Sequence, residues 1–158
     1  MKQTVSYFAA PTGMTVLRSH YSVSLTLDRL AALAEPRGLH VYARIDHARL
    51  AGERGLYMPP TQLLLLGNPL SSTVAMLERP SLAIDVPMKA LAWRDQEGGT
   101  RLGTLDLDWL IQRHGLDGPV RDMGLAMSET LRSLVQAAAS PDVTVHERSA
   151  APPARRTG

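Results

Sequence analysis

The sequence predicts an α+β fold, a two-layer sandwich in which helices pack on one face of a mainly antiparallel sheet. Helical stripes of apolar residues alternate along the chain with strand-like runs, and residues 88–107 form two such runs around a turn, as in a β-hairpin. The length of 158 residues suits one domain. We place this domain at residues 14–140, with an N-terminal extension or edge strand at residues 1–13 and a disordered tail at residues 141–158.

The beginning of the chain predicts a strand and a helix. Thr15 to Leu17 follows a glycine and forms a short strand, and a further strand is predicted within residues 4–9. The helix is capped by Ser22 or Ser24 and ends at Pro36 and Gly38. Its apolar positions recur at helical spacing: Val23, Leu27, Leu30 and Ala34.

Residues 39–47 give the clearest amphipathic strand, because apolar and polar side chains alternate along it. The alternation puts His47 on the core-facing side and Asp46 on the opposite side. The apolar members of the core-facing side are Leu39, Val41, Ala43 and Ile45. A short exposed helix is predicted at residues 48–55.

The middle of the chain predicts a central strand and another helix. Four leucines at residues 63–66 lie between two turn-forming segments, Pro59-Pro60 and Gly67-Asn68-Pro69, which is typical of a strand buried on both faces. A short helix follows, capped by Asn68, Ser71 or Ser72 and carrying Val74 and Leu77, and it ends at Pro80.

The last elements are the hairpin and two helices. Met88–Arg94 and Thr100–Leu107 flank a five-residue turn with two glycines. Residues 109–114 form one or two helical turns closed by Gly115, and residues 119–139 carry a sustained helical stripe. Asp106 and Asp108 mark a helix start.

Composition excludes several classes of function. The net charge is only +2 and aromatic residues make up 4% of the chain, so nucleic-acid binding is disfavoured. The absence of cysteine rules out disulfides and thiolate chemistry. The five histidines lack ligand-like spacing, so no metal site is predicted and any cofactor is unknown. No run of membrane-spanning length and no signal-peptide core occurs, which predicts a soluble cytoplasmic protein without a membrane partner.

Five polar residues are candidates for a ligand site: Asp46, His47, Asn68, Asp85 and Lys89. Each has a simpler structural interpretation, which we weigh as the stronger one. Asp46 is a helix cap and His47 a buried neutral histidine; Asn68 is a helix cap. Asp85 and Lys89 are solvated or locally paired charges, and they meet only if the chain bends at Pro87. In the functional interpretation, the lysine recognises a small acidic ligand.

The order of these segments resembles family 302 of the domains of unknown function. The resemblance covers about Met14 to Leu116 and rests on Ile45-Asp46-His47, Gly67-Asn68-Pro69 and Asp85-Val86-Pro87-Met88-Lys89. It implies a small prokaryotic α+β domain that is dimeric and has no established activity. The chain departs from the family pattern at Pro36 and around residues 102–108.

Three hypotheses for function follow. The first is a homodimeric domain that binds or senses a small ligand. The second is a metal-assisted or His/Asp hydrolase-like enzyme with His47 as base or metal ligand beside Asp46 or Asp85. The third is a structural interaction module. We favour the first, without catalysis.

Overall fold

The computed structural model describes residues 10–141, and the structural statements below concern those residues alone. The strands are β1 (Met14–Ser19), β2 (His40–Asp46), β3 (Thr61–Gly67), β4 (Met88–Arg94) and β5 (Thr100–Leu105). The helices are α1 (Val23–Ala34), α2 (His47–Gly52), α3 (Pro69–Glu78), α4 (Leu107–His114) and α5 (Gly118–Ala139). Two 3-10 turns occupy Glu35–Arg37 and Pro80–Ile84. The strand predicted within residues 4–9 and the tail from residue 142 lie outside the described residues, and the domain limits stay a prediction.

The five strands form one sheet in the order β1-β5-β4-β3-β2, and every neighbouring pair is antiparallel. This confirms the predicted α+β fold. The hairpin is also confirmed, since β4 and β5 pair across a turn in which the Asp95 carboxylate accepts hydrogen bonds from the backbone N–H groups of Glu97 and Gly99. Arg101 Nε donates to the same carboxylate at 2.7 Å. That hydrogen bond lowers the pKa of the Asp95 carboxyl. Desolvation acts in the opposite direction and raises this pKa, whereas the backbone N–H donors lower it further.

The core lies between one face of the sheet and the helices, mainly α1 and α5. Alternate residues of β3, β4 and β5 are buried on this face, which we call the helix face: Leu64, Leu66, Met88, Ala90, Ala92 and Leu102. Leu27 and Leu30 of α1 are fully buried against them. The predicted apolar stripe of α5 supplies Val120, Leu131, Leu134, Val135 and Ala138. The apolar residues whose spacing predicted α1 and α5 are therefore residues that fill the core.

The opposite face of the sheet, which we call the open face, has an apolar central row with the charged residues Arg18, Arg101 and Lys89 beside it. One row of cross-strand neighbours runs over all five strands: Ile45, Leu63, Leu91, Gly103 and Val16. Beside this row, an added Cβ on Gly103 would lie 2.1 Å from Met14 Cε and 3.1 Å from Trp93 Cζ3, so these two side chains fill the space above the glycine. The apolar residues of the row are half-buried rather than buried.

The structure corrects three details of the sequence prediction. A bulge between Val41 and Ala43 breaks the alternation of β2, so the four apolar residues of that strand do not share one face. The leucines of β3 are buried on the helix face only, since Leu63 and Leu65 are half-buried. On α3, Leu77 is 80% exposed and does not pack on the core.

Candidate functional site

The five candidate residues lie at two opposite ends of the sheet. Asp46 is the last residue of β2 and His47 the first of α2, at the end of β2 that pairs with the beginning of β3. Asn68 follows the end of β3, next to the beginning of β4, where Asp85 and Lys89 lie. The six residue steps of β3 between the two ends correspond to about 20 Å. The idea of one pocket shared by all five residues is therefore wrong.

Asp46 is a helix cap. Its carboxylate accepts a hydrogen bond from the backbone N–H of Arg49 at 2.9 Å, at the beginning of α2, and another from Gln62 Nε2 at 3.2 Å. His47 is the first residue of α2 and is half-buried, not enclosed in the core. No hydrogen bond joins His47 to an aspartate within residues 10–141. The pair required by the His47 enzyme hypothesis is absent from this part of the chain.

Asn68 is a helix cap too, at the opposite end of the sheet. Its Oδ1 accepts from the backbone N–H of Ser71 at 3.0 Å, and Pro69 occupies the first position of α3. The structural interpretation of Gly67-Asn68-Pro69 is thus confirmed. The amide nitrogen of Asn68, Nδ2, has no hydrogen-bond acceptor within the described residues.

Asp85 and Lys89 are brought close by a bend of the chain at Pro87, but they do not form an ion pair. Lys89 Nζ donates to the backbone carbonyls of Asp85, at 2.8 Å, and of Pro87, at 3.2 Å. The Asp85 carboxylate instead makes a hydrogen bond with His114 Nε2, at 2.7 Å, and an ion pair with Arg113, whose Nε is 3.0 Å away. The ammonium group of Lys89 is thus already engaged by main-chain oxygens.

His114 was not among the residues singled out from the sequence. Its imidazole is 4% exposed and lies between Asp85 and Ser81, whose Oγ is 2.8 Å from His114 Nδ1. The signal was present in the sequence, because His114 lies four and seven residues after Leu110 and Leu107, two buried positions of α4. A histidine in an apolar helical stripe is a candidate for a partnered, buried imidazole.

A cleft opens beside Asn68, between α3, α4, α5 and the beginning of β4. It has a volume of about 80 Å³. Most of its lining is apolar, including Ala75, Met88, Leu110 and Met123, and its polar lining residues are Asn68, Ser71 and Ser72. The volume is well below that of a pocket for a drug-sized molecule, so a ligand here would have few atoms.

Two polar residues of the cleft lining have side-chain donors that are not used within the described residues. Ser72 Oγ has no hydrogen-bond partner within the described residues, and the same holds for Asn68 Nδ2. Asn68 caps α3 and Ser72 is the fourth residue of that helix, so both lie near its N-terminus, where the helix dipole favours negative charge. The arrangement is suited to a small molecule with an apolar body and an acidic or strongly accepting group.

No group of three or more His, Asp or Glu residues suited to a metal ion occurs between residues 10 and 141. None of the helices over that same range has the length and apolar character needed to cross a membrane.

Comparison with known proteins connects the chain to a family. The family model of Domain of unknown function DUF302 matches residues 15–138. The crystal structure of an uncharacterized conserved protein DUF302 from Bacillus stearothermophilus superposes with a TM-score of 0.71 at 16% sequence identity. The match covers 81% of this chain and 99% of that one. At this identity the likeness shows a common fold.

Curated relatives come from Brucella. A protein of Brucella suis biovar 1 named fluoride-specific ion channel FluC 1 is 38% identical over 124 residues, which is 78% of this chain and 46% of that protein. A protein of the same name from Brucella abortus biovar 1 is also 38% identical, and the match covers 43% of it. The chain thus spans less than half the length of the curated relatives it matches.

Proposed function

The chain belongs to the family Domain of unknown function DUF302, and from that premise we propose that it is a homodimeric domain that binds or senses a small ligand. The observation that carries the proposal is the cleft between α3, α4 and α5, where an apolar lining meets Asn68 and Ser72, two residues whose Nδ2 and Oγ have no partner within the described residues. The cytoplasm is the location we propose, in keeping with the cysteine-free sequence.

The proposed ligand is a small carboxylic acid with a short apolar body. Its carboxylate accepts hydrogen bonds from Ser72 and Asn68, and its alkyl part contacts Met88 and Met123. Of the five residues inferred from the sequence, only Asn68 lines this cleft. Lys89 takes no part, because main-chain carbonyls already hold its ammonium group.

The Brucella relatives favour a sensing role. They contain the matched region within chains about twice its length, and they are named as fluoride-specific ion channels. The Bacillus protein, by contrast, consists almost entirely of the matched region. A domain that occurs both alone and joined to another functional region is suited to binding a ligand and signalling that binding to the neighbouring region.

The partner we propose is a second copy of this chain, docked on the open face of the sheet. The row from Ile45 to Val16 is apolar across all five strands, and α1 and α5 pack on the other side. Strand spacing and rise give the face about 24 Å by about 20 Å, so two copies would cover about 1,000 Å². A specific interface needs roughly this area.

The binding proposal is tested with butanoate as the probe and thermal unfolding as the readout. Butanoate should stabilise the wild-type protein by about 1.4 kcal/mol at ten times its dissociation constant, because it binds the folded state only. Ala75 lines the cleft, so Ala75→Leu fills it and should abolish the stabilisation. Ala126 is exposed on α5 outside the cleft, and Ala126→Leu should leave the stabilisation unchanged.

Two results would contradict the proposal. One is the absence of any effect of butanoate on the wild-type protein. The other is an equal effect on the Ala75→Leu variant, which would put the binding site elsewhere. 1-Butanol, which lacks the carboxylate, serves as the chemical control and should stabilise less.

A further inference from the structure

Ser81, His114 and Asp85 form a continuous chain of hydrogen bonds. Ser81 Oγ lies 2.8 Å from His114 Nδ1, and His114 Nε2 lies 2.7 Å from Asp85 Oδ2. Ser81 is exposed, the imidazole is 4% exposed and the carboxyl side chain is 17% exposed. The three groups therefore run from solvent to a shielded carboxylate.

The direction of these hydrogen bonds follows from the carboxylate. Asp85 forms an ion pair with Arg113, whose Nε is 3.0 Å from Oδ2, so the carboxylate is ionised and can only accept; His114 Nε2 therefore carries the proton of the neutral ring. Nδ1 is then the acceptor, and the Ser81 hydroxyl is the donor. A hydroxyl that donates to an oriented imidazole is the arrangement by which serine becomes a nucleophile.

We propose that Ser81 is a nucleophile activated by His114, and that it takes an acyl group from small carboxylic esters. Asp85 is a positioning residue that fixes the tautomer and orientation of the imidazole. The site involves neither the cleft nor the open face. This proposal therefore goes beyond the proposed ligand binding, and the two are tested independently.

The reaction balances with water as the only other reactant. Ser81 Oγ bonds to the ester carbonyl carbon while its proton moves to His114 Nδ1. The ester C–O bond then breaks, and the alcohol leaves with that proton. Water attacks the acyl-serine in the same way, which releases the carboxylic acid and returns the proton to Ser81.

The experiment treats the whole chain with p-nitrophenyl acetate and locates the acetyl group by mass spectrometry of its peptides. Ser81 of the wild-type protein should be acetylated, and Ser81→Ala should lose that label. Ser133 is an exposed serine on α5, and Ser133→Ala is the matched control that should react like the wild type.

The role of the histidine is tested with His114→Ala, which should slow acetylation of Ser81 by about 100-fold, the lower range for a general base. Imidazole added to the buffer should restore part of the rate, an effect that a merely structural role of His114 would not produce. Asp85→Asn provides a second variant if His114→Ala does not fold, and it should also slow the reaction. The proposal is overturned if Ser81 stays unmodified, if a folded variant reacts at the wild-type rate, or if imidazole restores nothing to folded His114→Ala.

Discussion

Replacing Leu91 by lysine should break the proposed dimer. Leu91 lies on β4, in the middle of the open face, where it pairs with Leu63 on one side and Gly103 on the other. Burying a leucine fully is worth about 1.5–3 kcal/mol, and Leu91 is already half-buried in the single chain. Each copy should therefore lose about 1 kcal/mol of interface energy, or about 2 kcal/mol per dimer. This corresponds to a roughly 30-fold weaker dimer before any charge repulsion between the two lysines is added.

Sedimentation velocity over a range of protein concentrations measures this effect. The wild type should sediment as a dimer, and Leu91→Lys should shift toward the monomer at the same concentrations. Leu77 is 80% exposed on α3, so Leu77→Lys is the control that makes the same chemical change outside the interface. A monomeric wild type, or a dimer equally strong in Leu91→Lys, would refute the reasoning.

Three further predictions test the fold by equilibrium unfolding. Asp95→Asn should lower stability at neutral pH, and the difference should vanish as the pH falls through the lowered pKa of Asp95, because the carboxylate contributes only when it is ionised; a difference independent of pH would contradict this. Gly13→Ala should lower the free energy of unfolding by about 2–4 kcal/mol, since the φ of Gly13 is +82° and an added Cβ would lie 2.7 Å from Trp109 Cδ2. Gly98 has the same φ but nothing within 4 Å of an added Cβ, so Gly98→Ala should lower it by only about 1–2 kcal/mol. Equal costs would mean that the tryptophan contact is unimportant. Asp46→Ala should cost about 1 kcal/mol as a lost helix cap while Asp46→Asn costs less, and two equal losses would argue against capping.

The fold was largely predictable because its signals are local. The apolar stripe of α1 and the cap at Ser22 are set by residues within a few positions of one another, and the structure has both. The same is true of the hairpin, whose turn residues bond among themselves. The bulge of β2 escaped prediction, since no residue type at residues 41–43 marks it and it depends on pairing with β3.

The arrangement of the polar residues was much less predictable, because it depends on which strand ends meet. Asp46 is the last residue of β2 and Asn68 follows β3, but the two strands are antiparallel, so the two residues lie at opposite ends of the sheet. Asp85 finds its partner in His114, 29 residues away, on a helix that returns to the same end. Contacts of this kind follow from tertiary structure and leave no spacing in the sequence.

The most direct test of the proposed function is isothermal titration of the wild-type protein and of Ala75→Leu with butanoate. We predict saturable binding of one butanoate per chain to the wild type and none to the variant, since the added leucine occupies the cleft beside Ser72. Absence of binding to the wild type, or the same binding by both proteins, would contradict a ligand site between α3, α4 and α5.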